Sequence, residues 1–145
     1  MEHIDLTIDG AGRDAGKTFR ITEMNAFKGE WWAVRLLGVL ADGDTAGELA
    51  SLSESGGLEA LAASGLNVVM KCLLKADPEK IRPLWDEMTE CWSFVPDAGK
   101  DFSRRLVDGD ILEIGTLLFL RMKTMELHLD FFSRSIQTLM STNQG

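Results

Sequence analysis

The chain has 145 residues, 45% hydrophobic and 26% charged, enough for one domain with a buried core and too apolar for wholesale disorder. Fifteen Lys and Arg stand against 23 Asp and Glu, a net charge of −8. So acidic a chain, with no basic stripe, is ill suited to sequence-independent nucleic-acid binding or to anionic membrane surfaces.

Residues 3–9, HIDLTID, alternate, with Ile4, Leu6 and Ile8 on one side and Asp5, Thr7 and Asp9 on the other. That period of two predicts a half-buried strand. GAGRDAG (10–16) is a turn-rich loop, and Lys17 to Thr22 resumes as a second strand with Phe19 and Ile21 inward. The expectation for residues 1–24 is a β-hairpin, which has to lean on helices or add to another sheet because two strands alone are marginal. Its loop, AGRDAGKT (11–18), fits a relaxed phosphate-loop pattern. A phosphate loop needs a helix starting at the Lys, however, and Thr18-Phe19-Arg20-Ile21-Thr22 alternates like a strand. Ala11 also stands where Gly is usual, and no later apolar run ends in an Asp for magnesium.

From Met24 the pattern turns helical. Met24, Phe27, Trp31, Val34, Gly38 and Ala41 follow one helix face, widened by Trp32, Leu36, Val39 and Leu40, with Lys28, Arg35 and Asp42 as a narrow polar stripe. A helix apolar around most of its girth is buried by several neighbours or by a partner chain. Residues 45–64, rich in Gly, Ala and Ser, predict one or two short helices broken at Ser55-Gly56-Gly57, and Leu66, Val69, Met70, Leu73 and Leu74 mark another. Pro83 would clash inside a helix begun at Asp77-Pro78, so the next helix is expected to start at Pro83. Leu84, Met88 and Cys91 share its face, with Trp85 and Trp92 beside them, and Val95-Pro96-Asp97-Ala98-Gly99 ends it. The last helix is expected from Asp110, as N-cap with Glu113 three residues on, to Phe132. Ile111, Ile114, Leu118, Met122, Met125, Leu129 and Phe132 run down one side, broadened by Leu117, Phe119, Leu120 and Phe131. The fold expected is thus mainly α (α+β): the hairpin, then a bundle of about four to five helices over residues 25–140 with a long C-terminal helix, and a disordered tip at 141–145.

Neither His3 nor His128 has a partner set for a catalytic relay or a zinc site, and both read as solvated. Asp86 and Glu87 point about 100° apart on a helix and read as solubility charges. Cys72 and Cys91 lack metal-ligand spacing. No catalytic residue, cofactor or metal is expected. With no signal peptide at Met1-Glu2-His3 and no apolar run of roughly 18 residues, the expected setting is the cytoplasm. What remains is apolar excess, with four Trp and seven Met but no Tyr. The candidate partner-binding residues are Phe27, Trp31, Trp32, Trp85, Trp92, Met122, Met125, Phe131 and Phe132, set to cover a partner helix or a second copy of the chain.

Taken in order, FRITEMNAFKGEWWAVRLL (19–37), GLEALAASGL (57–66), PLWDEMTECWSFVPD (83–97) and DILEIGTLLFLRMKTMELHLDFF (110–132) resemble the tail assembly chaperones of long-tailed (siphovirus-like) bacteriophages and prophages, over roughly residues 17–132. The sequence departs from that pattern at Asn25, where Pro is common and Asn is a sound N-cap. The His3 to Gly16 hairpin is also longer than the family leads one to expect. The resemblance implies a non-enzymatic protein of the host bacterial cytoplasm, absent from the mature virion. Such a protein binds the helical tape measure protein, and in longer frameshifted products the tail tube subunits. Two other readings are a small nucleotide-binding protein using Gly16-Lys17-Thr18 and a structural virion or connector protein.

Overall fold

A computed structural model describes the backbone of residues 2–41 and 74–143, and the side chains of those residues apart from 37, 40, 41 and 131–143. The helices expected between residues 45 and 73 lie outside the described residues. The N-terminal segment does form two antiparallel strands, β1 (His3–Thr7) and β2 (Thr18–Thr22), pairing Thr7 with Thr18 and Ile4 with Ile21. The intervening loop turns through Gly10 (φ 102°) and Gly16 (φ 84°), left-handed conformations that a side chain would strain.

The hairpin is half of a larger sheet. β3 (Trp92–Val95) lies antiparallel beside β2, and β4 (Arg104–Arg105) beside β3, giving the order β1-β2-β3-β4. This corrects the expected bundle of four to five helices. Three α-helices fall within the described residues, packed with a four-stranded antiparallel sheet in a small α+β fold. The physical reason lies in β2. Phe19 and Ile21 are fully buried and need neighbours on both edges, and the register sets Phe19 against Phe94 and Ile21 against Trp92. The Phe19 and Phe94 rings meet edge to face at 5.6 Å. Trp92-Ser93-Phe94-Val95, read as a helix end, is therefore a strand.

Helix α1 (Ala26–Ala41) starts at Asn25, whose Oδ1 accepts from the Lys28 amide at 2.9 Å. Helix α2 (Pro78–Thr89) starts five residues before the expected Pro83, with Asp77 as N-cap accepting from the Glu79 amide at 3.0 Å. Pro83 sits inside it. Its ring removes the backbone donor to the carbonyl of Glu79, and both residues are exposed, where the cost of an unpaired carbonyl is smallest. Helix α3 (Ile114–Asn143) begins later than Asp110, which instead closes a 3₁₀ turn (Asp108–Asp110) and binds Arg104 through both carboxylate oxygens.

The core lies between the sheet and the three helices: Phe19, Ile21 and Trp92 from the sheet, Trp32 and Leu36 from α1, Leu84 and Met88 from α2, and Leu120, Met125 and Leu129 from α3. Its polar groups are paired. The Trp32 Nε1 donates to the Leu84 carbonyl at 3.2 Å, and the Trp92 Nε1 donates to Thr124 Oγ1, which itself donates to the Leu120 carbonyl. Among the described residues no buried side-chain nitrogen or oxygen lacks a hydrogen-bond partner. No described helix is long and apolar enough to cross a membrane.

Candidate partner-binding face

α1 has two apolar sides, and the fold buries one. Trp32, Ala33 and Leu36 face the core. Phe27, Trp31 and Val34, spaced four and three apart and hence on one side of the helix, are 90%, 60% and 49% exposed. The face marked out by periodicity is therefore largely the one the protein leaves open; among its described side chains, Met24 alone is turned inward. Side chains of these types, left this exposed, forgo roughly 3–6 kcal/mol of burial.

The margin of this stripe toward α2 is electrically closed. Lys28 pairs with Glu90 at 2.6 Å, and Arg35 grips Glu87 through contacts of 2.7 and 2.6 Å while lying 5.4 Å from the Trp31 ring centre. A groove follows between Val34, Arg35, Gly38 and Val39 of α1 and Lys80, Pro83 and Leu84 of α2. Among the described residues, and apart from the backbone of α1 itself, no atom lies within 4 Å of where a Cβ on Gly38 would stand, so α1 offers bare backbone to the groove. On the other side of α2, Leu74, Ile81, Trp85 and Leu118 line a second cleft.

Of the nine candidate partner-binding residues, Phe27 and Trp31 come together on this stripe. Trp32, Trp92 and Met125 are enclosed in the core, where they support the face without reaching a partner. Trp85 is half-buried on the α2 side of the second cleft, Met122 is half-buried on α3, and the side chains of Phe131 and Phe132 lie outside the described ones. Val34 and Leu118 were missing from the candidates. Both lie on the runs read from spacing, but nothing local distinguishes an apolar position that faces solvent from one that faces the core. Arg121 was overlooked as well. It lies between the Trp85 and Trp92 rings, 4.9 Å from each centre, and donates to the Trp85 carbonyl at 2.8 Å. Burial lowers its pKa to about 10, which leaves it charged at neutral pH.

The phosphate-loop-like stretch serves another purpose. Lys17 Nζ donates to Asp14 Oδ1 and to the Asp110 carbonyl, both at 2.9 Å, and the chain continues into β2 with no helix start. Asp14, buried, accepts from the Leu112 and Glu113 amides and from Thr116 Oγ1. Its carboxylate thus occupies the N-terminal end of α3, the position a bound anion would take. Burial alone would raise the Asp14 pKa, but Lys17, Thr116 and the two amides outweigh it and hold the group well below the usual carboxylate range. Arg13 adds an exposed pair with Glu113 at 3.0 Å.

His128, expected in solvent, is buried. Its Nε2 accepts from the Met24 amide at 2.9 Å, so the proton sits on Nδ1, which donates to the Thr124 carbonyl at 2.8 Å. Burial lowers its pKa and keeps the ring neutral. The Cys91 thiol is pushed up to about 11 by burial, which leaves little thiolate at neutral pH. Comparison with protein-family models, curated proteins and solved structures finds no match for this chain.

Proposed function

We propose that this protein is a non-enzymatic tail assembly chaperone of a long-tailed phage or prophage, which holds the helical tape measure protein against α1 in the host cytoplasm before the tail tube closes around it. The observation that carries the reading is the exposed row of Phe27, Trp31 and Val34, continued by the groove beside Gly38. An amphipathic helix presents apolar side chains at the same spacing of three and four, and a groove floored by bare backbone admits it closely. The ion pairs Lys28–Glu90 and Arg35–Glu87 neutralise that margin of the face, so recognition there rests on apolar contact, while the net charge of −8 keeps the protein in solution. The resemblance of residues 17–132 to the chaperone family supplies the identity of the client; tail tube subunits and a second copy of the chain are further partners of this reading.

Co-expression with the tape measure protein of the same phage tests it. The wild type should raise the client's solubility and co-elute with it on gel filtration, and Phe27→Glu/Trp31→Glu should fold normally and lose both effects. A client that stays insoluble with the wild type, or that co-elutes equally with the double variant, contradicts the proposal.

A further inference from the structure

The open side of α1 is graded in size. From its N-terminal end it carries Phe27, Trp31, Val34 and Gly38, two wide aromatic side chains followed by a short one and then by none. The intervals are four, three and four, so the row keeps its spacing when turned end to end. A second α1 laid antiparallel across the first therefore matches each wide position to a narrow one. Phe27 meets Gly38 at both ends, and Trp31 meets Val34 twice at the centre. A parallel pair would set Phe27 on Phe27 and Gly38 on Gly38, crowding one end and leaving a void at the other.

The receiving end has room for a ring. Beside the bare backbone at Gly38, the groove is bordered by Val34 and Val39 of α1 and by Pro83 and Leu84 of α2. Phe27 stands at the other end of the row, about 16 Å away along the axis, and is the most exposed large apolar side chain among the described residues. A twofold axis across an antiparallel pair brings like flanks together. On one flank the basic side chains are already neutralised, Lys28 by Glu90 and Arg35 by Glu87, so two such margins can approach. On the other, the exposed Glu30 and its mate stand about 8 Å apart along the axes, a distance at which salt screens them.

We propose that, in the absence of a client, this protein pairs with a second copy of itself through an antiparallel contact of α1 on α1, in which Phe27 of each copy fills the space over Gly38 of the other. Phe27, Trp31 and Val34 would bury on the order of 400 Å² on each copy, or about 800 Å² in the pair, below the roughly 1,200 Å² at which stable complexes begin. The dimer is therefore reversible. Its role as a mask rests on the reading of α1 as the client's site: client and second copy exclude each other, and so small a contact yields to a helix that also fills the groove. The pairing itself stands without the client.

Sedimentation equilibrium of the full-length protein tests the pairing, up to about 1 mM, where even a millimolar Kd is visible. The wild type should form a dimer. Phe27→Ala, which removes the ring, and Gly38→Phe, which occupies its place, should each weaken the dimer about tenfold or more. Mixed in equal amounts, the two variants should recover wild-type association. One end of the mixed pair keeps Phe27 over Gly38, and the other sets the introduced ring over the introduced alanine. A wild type that stays monomeric, variants that associate as the wild type does, or a mixture no tighter than either variant alone overturns the antiparallel pair. If Gly38→Phe does not fold, Phe27→Ala alone still decides. A photoreactive side chain at Phe27 should cross-link to the second copy around Gly38 when the protein is alone, and to the tape measure protein when the two are co-expressed. A copy-to-copy cross-link undiminished by the client overturns the exclusion. Client capture without a dimer removes the pair and leaves the proposed function standing; a restored mixture without client capture does the reverse.

Discussion

Replacing Asp14 by Ala should be among the most damaging single changes outside the apolar core. The carboxylate accepts from four donors, the Leu112 and Glu113 amides, Thr116 Oγ1 and Lys17 Nζ, at 2.7–3.0 Å. A helix cap of this kind contributes about 1 kcal/mol, and donors stranded in a buried site cost about 1–3 kcal/mol. Lys17 keeps the Asp110 carbonyl, and the Leu112 amide belongs to an exposed residue, so the loss totals about 3 kcal/mol. At this chain length that corresponds to a Tm lower by about 6–12 °C. Asp14→Asn keeps an acceptor oxygen but not the charge, and should lose about half as much. The pH dependence has a fixed sign. The folded-state pKa lies below the unfolded value of about 3.9, so the stabilisation is complete above that value and is lost as pH falls through the folded one. Urea unfolding at pH 7 followed by circular dichroism measures the difference. Asp14→Ala within about 0.5 kcal/mol of wild type would refute the role of Asp14 as the cap that ties the hairpin to α3.

The two adjacent tryptophans of α1 should behave oppositely. Trp32→Ala costs about 3–5 kcal/mol in urea unfolding, because Trp32 is fully buried, while Trp31→Ala changes stability by less than about 0.5 kcal/mol; comparable losses would contradict the orientation of the helix. Pro83→Ala restores a donor to the Glu79 carbonyl and should raise stability by about 1–3 kcal/mol, whereas a decrease would show that the ring is needed for packing. His128 is held neutral, with a folded pKa below its unfolded value of about 6.5. Its contribution is complete above that unfolded value and is lost as pH falls through the folded one. His128→Gln should flatten the stability profile just below pH 6.5; an unchanged slope there argues against the Met24–His128–Thr124 link.

Much of the N-terminal architecture was legible because its signals are local. HIDLT and TFRIT alternate with period two, and Asn25 is a short-range N-cap. The β3 strand was not, because Leu84, Met88, Cys91 and Val95 fall on helical spacing and only pairing with β2 reveals that the last two belong beyond the helix. Pro83 misled for a related reason: the rule against Pro in a helix weakens where the orphaned carbonyl faces solvent. The cap of α3 is 98 residues from the Leu112 amide it satisfies, so the nearby Asp110 was read as the cap while it in fact binds Arg104 and the Val107 amide. At the candidate face, spacing identified the row of Phe27, Trp31 and Val34 but not its exposure. Both sides of α1 are apolar, and the clue lay in Lys28 and Arg35, whose acids Glu90 and Glu87 are just after α2 and within it.

Site-specific photo-crosslinking tests the central claim most directly. A photoreactive side chain is placed at Phe27 on the α1 stripe, or at Val107, an exposed apolar position in the segment after β4, and each variant is co-expressed with the tape measure protein. The account predicts a cross-linked complex from position 27 and none from position 107. Cross-linking from position 107 alone, or equally from both, would contradict it.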